Sequence, residues 1–154
     1  GDIWGLVEKE VFAYNKRRSG SLQWMQMGLD SLLGFLGSNS AYRRLYRQII
    51  INYHKGFDVE PPTPDKLAGI NSRAGNKTRQ AIRNYPLLGT FGNTGYPVII
   101  TYGESDAYGI SKDFVLERFP GARVEIIPDC GHTPWKHNKP AFNRILSDFY
   151  FRKI

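Results

Sequence analysis

Two short apolar runs near the end of the chain constrain its fold more than any other feature. "PVIITYG" (Pro97–Gly103) is continuously apolar and β-branched over Val98–Thr101, and "RVEIIPD" (Arg123–Asp129) reads as a second strand. Between them, "SKDFVLERFPGA" places Phe114, Val115 and Phe119 toward a core and closes on Pro120-Gly121, as a helix would. Strand, helix, strand is a βαβ unit, and its crossover makes the two strands parallel. The unbroken apolarity of the first run predicts a strand buried on both faces. "NKPAFNRILSDFY" then adds a last helix with Phe142, Ile145, Leu146 and Phe149 on one stripe. The expected class is α/β, with a βαβα unit over residues 85–154.

Residues 1–84 have a helical texture. In "IWGLVEKEVFAYNKRR", Ile3, Leu6, Val7, Val11 and Tyr14 line one helix face. A Ser-Gly-Ser break at 19–21 follows, with Ser21 expected to cap "LQWMQMGLDSLLGFLG". Gly37 is the expected terminator, and Ser38 or Ser40 the cap for "AYRRLYRQIIINYHKG". The prolines of "FDVEPPTPDK" forbid helix and mark a connector. Asp65 should open a polar helical stretch, broken or kinked near Gly69 and Gly75, that reaches about Tyr85. "LLGTFGNTG" is loop chemistry and lacks the flanks of a phosphate-binding loop.

With 154 residues, 41% apolar and 14% aromatic, the chain can bury the core of one domain, or of one compact piece plus an appendage. No apolar run approaches the roughly 20 residues that span a bilayer, so no membrane partner is expected. "GDIWGLVEKE" carries charges where a signal peptide has an apolar centre. The chain begins with Gly rather than Met, which leaves a processed or deleted upstream segment open. Cys130 is the single cysteine, so no internal disulfide can form, in keeping with a cytoplasmic location.

The net charge of +7 is uneven: residues 1–84 hold 13 Lys/Arg against 7 Asp/Glu, and residues 85–154 hold 8 against 7. The cations of "NKRRSG", "YRRLYRQ" and "NKTRQAIR" are scattered along helical stretches and read as solvated faces. Nucleic acid is not an expected partner, an acidic partner for the basic half being the rival reading.

Chemistry gathers beyond the carboxyl ends of strands in open parallel sheets. Here the first strand runs into "TYGESD", with Asp106 just past it, and the second into "PDCGHTPW", with His132 just past it. Neighbouring strands lie about 4.8 Å apart, so the two loops can meet. A carboxylate that accepts from one imidazole nitrogen fixes the tautomer and leaves the other as a general base. Asp106 could instead cap the next helix, with Asp113 or Asp129 as partner, although Asp129 precedes the turn and should point away. Cys130 sits two residues from His132 on a tight turn and reads as a buried small residue rather than a nucleophile. His54 and His137 lie in polar helix-end settings and read as surface residues. Three scattered histidines and one cysteine offer no metal-ligand spacing, and no cofactor is expected. Tyr108, Trp135, Trp24 and Met27 are candidates to line an apolar substrate pocket, against a core-packing reading for Trp24, Trp135 and Met27.

"PVIITYGESD", "FPGARVEIIPDCGHTPW" and "KPAFNRILSDFY" in that order resemble the C-terminal end of the α/β-hydrolase superfamily, over about residues 96–152. The flavour within it is proline-iminopeptidase-like, and residues 1–84 resemble the helical lid that many members insert. The resemblance implies Asp106 as acid, His132 as base, Tyr108 and Trp135 near a small-molecule or short-peptide substrate, and hydrolysis of an ester or peptide/amide bond. The departure is the nucleophile: no G-x-S-x-G occurs, and "GSNSA" and "SGSLQ" have serine and glycine in the wrong phase. The chain therefore reads as the back half of an incomplete α/β-hydrolase fold, inactive alone, whose partner is the missing N-terminal half of the core. The alternative is a non-catalytic fragment or binding module that forms a homo-oligomer through its open sheet edge.

Overall fold

The computed structural model describes residues 2–85, 89–92 and 94–151, without the side chains of Asp2 and Ile3. Three helices open the chain: α1 (Asp2–Arg18), α2 (Ser21–Phe35) and α3 (Asn39–His54). A single 3₁₀ turn (Asp65–Leu67) and α4 (Ser72–Asn84) follow the proline connector. Then come β1 (Ile99–Gly103), α5 (Ser111–Arg118), β2 (Arg123–Ile127), α6 (Pro134–His137) and α7 (Lys139–Phe151). No described helix is long and apolar enough to cross a membrane.

Turn chemistry sets most boundaries. Gly37 takes the left-handed φ of 105° after α2, and Ser38 accepts from the Ala41 amide at 3.3 Å to start α3. Ser21, however, does not cap α2: it is the first helical residue, preceded by an extended Gly20 that offers no side chain. The Ser19 hydroxyl is engaged instead by the Asn52 amide at 3.0 Å, inside the helical half. The polar stretch after Asp65 breaks around Gly69, and Asn71 restarts it by accepting from Ala74 at 2.9 Å.

Gly75 does not break α4. It makes room for Tyr42: a Cβ there would lie 2.7 Å from that ring, and one on Gly34 would lie 2.8 Å away. Tyr42 of α3 thus fills a slot between glycines of α2 and α4, tying three helices together. On α1, Val7 and Tyr14 are buried as the periodicity predicts, whereas Leu6 stays exposed and the Ile3 side chain lies outside the description. Between α1 and α3 the contact combines the packing of Tyr14 on Tyr53 with polar pairs. Buried Asn52 donates to Asn15 at 2.9 Å, and Arg18 and Lys55 exchange bonds to each other's carbonyls at 2.6 and 2.8 Å.

β1 and β2 pair in parallel, with Ile99 opposite Arg123 and Gly103 opposite Ile127. The class is therefore mixed, helices with a parallel two-stranded sheet, compatible with α/β. The expectation that β1 is buried on both faces is corrected: only Gly103 is buried, and Ile99–Tyr102 are half-buried. Among the described residues each strand has a neighbour on one side alone, so apolar residues suited to a sheet interior stand partly open. α7 lays the half-buried stripe of Phe142, Ile145, Leu146 and Phe149 along this side of the molecule and packs on β2. Leu87, Leu88 and Asn93 of the expected loop lie outside the described residues.

Candidate active site

The strand ladder continues past both strand ends and draws two loops together. Glu104 donates to the Ile127 carbonyl and Ser105 to the Cys130 carbonyl, each at 2.9 Å. Gly103 is what allows this approach: a Cβ on it would be driven into the carbonyl oxygens of Cys130 and Gly131. Asp106 then turns back on its own strand, its amide donating to Gly103 at 3.1 Å.

At that point the carboxylate of Asp106 meets His132, whose Nδ1 lies 3.0 Å from Oδ1. The same oxygen accepts from the Tyr108 amide at 2.8 Å. The Asp106 side chain is 6% exposed and that of His132 is 40% exposed. Facing an ionised carboxylate, which only accepts, a neutral imidazole carries its proton on Nδ1 and keeps the lone pair on Nε2. This is a buried carboxylate steadying a half-open imidazole, an arrangement that can take up and return a proton.

The rival assignments for Asp106 are answered by the neighbours. The amide just ahead of α5, on Ile110, donates to both oxygens of Glu10 at 3.1 and 3.0 Å, so a residue of α1 serves that helix start. Asp113 is exposed on the first turn of α5. Asp129 is also exposed, holds a left-handed φ of 49°, and donates its amide to Glu104. Neither is a hydrogen-bond partner of His132.

Aromatic rings from both halves wall the imidazole. Tyr108 lies 4.4 Å from it, and Tyr53 of α3 meets it nearly edge-on at 5.6 Å while donating its hydroxyl to Tyr108 at 3.2 Å. Tyr14 of α1 packs edge-to-face behind Tyr53 at 5.8 Å, its hydroxyl buried with no partner among the described residues. Burial, and after it the neighbouring Tyr108, pushes the Tyr53 phenol well up, so it stays a neutral donor. Cys130 is fully buried, and burial together with the Asp106 charge pushes its thiol up to about 11. Such a thiol is neither ionised nor accessible, the opposite of a nucleophile.

Of the four candidate pocket residues, only Tyr108 touches the Asp106–His132 pair. Trp135 is about half exposed, with Phe142 as its ring neighbour at 6.2 Å. Trp24 packs on Phe12 at 4.7 Å, and Met27 is buried beside Ser19 and Asn52. A cavity of about 980 Å³ lies away from the pair, between the end of α2 and α4, with Phe35, Arg73, Lys77 and Gln80 in its walls.

His54 and His137 are not surface residues. His54 is buried, and its Nδ1 lies 2.8 Å from Nε2 of half-buried His137. His137 also accepts the Gly131 amide on Nδ1 at 2.9 Å, meets Thr133 at 3.0 Å, and stacks on Phe57 at 3.8 Å. Burial, then His54 and nearby cations, pulls its pKa down to about 4, and burial lowers that of His54 as well. Sequence reasoning missed this pair because 83 residues separate its members. The one local signal was the aromatic Phe57 beyond the end of α3.

No serine or threonine hydroxyl among the described residues bonds to His132; Thr133, next to it, is engaged with His137. The described residues also contain no group of three or more His, Cys, Asp or Glu placed to hold a metal ion. No family model, curated protein or solved structure matches the chain.

Proposed function

We propose that this chain is the acid- and base-bearing C-terminal part of a serine-type α/β-hydrolase that cleaves an ester or a peptide/amide bond. One observation carries the reading: Asp106 and His132 bond at 3.0 Å from loops that leave the same ends of two adjacent parallel strands. A serine from the remaining part of the fold attacks the substrate carbonyl. His132 takes its proton on Nε2 and returns it to the leaving group, while Asp106 stabilises the imidazolium. Tyr53 and Tyr108 form the wall beside the reacting centre, so the helical half takes the role of a lid over a small-molecule or short-peptide substrate.

The two-stranded sheet supports the same reading, since its outer edges are open to further strands. Alone, the chain should be inactive, because a base without nucleophile and oxyanion donors forfeits most of the rate gain. The direct test is the sequence encoded just ahead of Gly1, where a strand entering G-x-S-x-G is expected. The longer protein should hydrolyse activated esters and lose turnover in His132→Ala. Turnover by the 154-residue chain, abolished by the same substitution, would overturn the inactivity claim.

A further inference from the structure

We propose that the outer face of α2 is the surface through which two copies of this chain associate. α2 places its large apolar residues at Leu22, Met25, Leu29 and Leu32, with Leu36 at its end, in alternating steps of three and four. That is heptad spacing, whose mean period of about 3.5 residues keeps one seam facing a second helix. Counted around the helix, these side chains lie opposite Met27, Asp30 and Gly34, the buried residues of α2. All five are 50–83% exposed. The helix thus packs on α3 and α4 through its smaller, partly polar side and turns its leucine stripe outward.

Four features make the occupant a second copy. Heptad seams are self-complementary, as a two-fold interface requires. The face is neutral: α2 contains no Lys or Arg, and its one carboxylate, Asp30, is buried and bound by Arg44. In a chain of net charge +7, this is a surface where a copy can approach without charge meeting charge, and an acidic or basic partner would find nothing to pair with. The stripe, with Leu33 and Phe35 on its flanks, is a run of exposed large apolar side chains along the whole length of α2, the extended face that a stable two-fold interface needs. Finally, α2 is already held helical by α3 and the Tyr42 slot, so association orders little new backbone. None of this depends on the hydrolase reading, and the surface is separate from the sheet edges.

Sedimentation of the chain at micromolar concentration should give a dimer, and added salt should strengthen it by screening the +7 charge. Leu29→Glu combined with Leu32→Glu should raise the dissociation constant about a hundredfold or more and leave the circular dichroism of the fold unchanged. Tyr150→Glu, on an exposed apolar position of α7, should leave the dimer intact. A monomeric unmodified chain overturns the proposal, and so does a dimer that survives the double substitution. A monomer whose binding of an apolar dye disappears in the double variant overturns it too, assigning the face to an apolar ligand.

Discussion

Gly103→Ala tests how tightly the strand ends must approach for Asp106 and His132 to meet. The added Cβ would lie 2.6 Å from the Cys130 carbonyl carbon and closer still to the oxygens of Cys130 and Gly131. All three are backbone atoms of the loop that carries His132, so no side chain can swing aside. Relief requires parting the loops, which sacrifices the Glu104–Ile127 and Ser105–Cys130 hydrogen bonds, both 2.9 Å long. Each is worth about 1 kcal/mol net, and forcing a methyl against fixed backbone adds about 1–3 kcal/mol. Against this, alanine lowers the entropy of the unfolded chain by less than about 1 kcal/mol. The expected loss is about 3 kcal/mol, or about 1.5 M in the urea midpoint at a slope of about 2 kcal/mol/M. Gly121→Ala is the control, since a Cβ there meets nothing within 4 Å. A midpoint for Gly103→Ala within about 0.3 M of the unmodified chain, at unchanged slope, would refute the claim that the loops close on this glycine.

Two further substitutions probe how the helical half is fastened to the sheet. His137 titrates near 4 in the folded chain, below the ordinary value near 6.5, so the unfolded state binds more protons between these values. Stability should therefore be full above pH 6.5 and fall on acidification, by about 1–2 kcal/mol between pH 7 and pH 5 once partial solvent exposure is allowed for. Urea unfolding at the two pH values measures it. His137→Phe, which retains an aromatic ring against Phe57, should flatten that slope, and an equally steep slope in the variant would assign the effect elsewhere. Glu10→Ala removes both acceptors from the Ile110 amide. Hydrogen exchange at Ile110 should quicken about fivefold to tenfold, a loss of about 1 kcal/mol; unchanged exchange would show that α1 does not pin the Asp106 loop.

The sheet and the meeting of Asp106 with His132 were legible because both rest on local pattern. Two β-branched runs around one amphipathic segment admit few topologies, and each run delivers an ionisable residue to its own end. The interior of the helical half was less legible. Hydrophobic periodicity finds Val7 and Tyr14, yet beside the Tyr14–Tyr53 packing the contact between α1 and the end of α3 is made by Asn15, Asn52, Arg18 and Lys55. Polar residues pair across a buried contact in ways a window of sequence does not record. Gly75 illustrates the same gap: read as a helix breaker, it is a cavity for a tyrosine 33 positions earlier. His54 and His137 were misread for this reason, since a polar flank on each side looks like surface until the two imidazoles face each other. Trp135 was misleading in the opposite sense: proximity to His132 in sequence does not bring its ring to the pair.

The central claim is that Asp106 holds the Nδ1 proton of His132 and leaves Nε2 basic. Nitrogen-15 NMR of labelled histidine tests it on the isolated chain, without substrate or nucleophile. Neutral His132 should be the Nδ1–H tautomer, with a slowly exchanging, downfield proton that disappears in Asp106→Ala. An Nε2–H tautomer, or a spectrum indifferent to Asp106→Ala, would contradict the account.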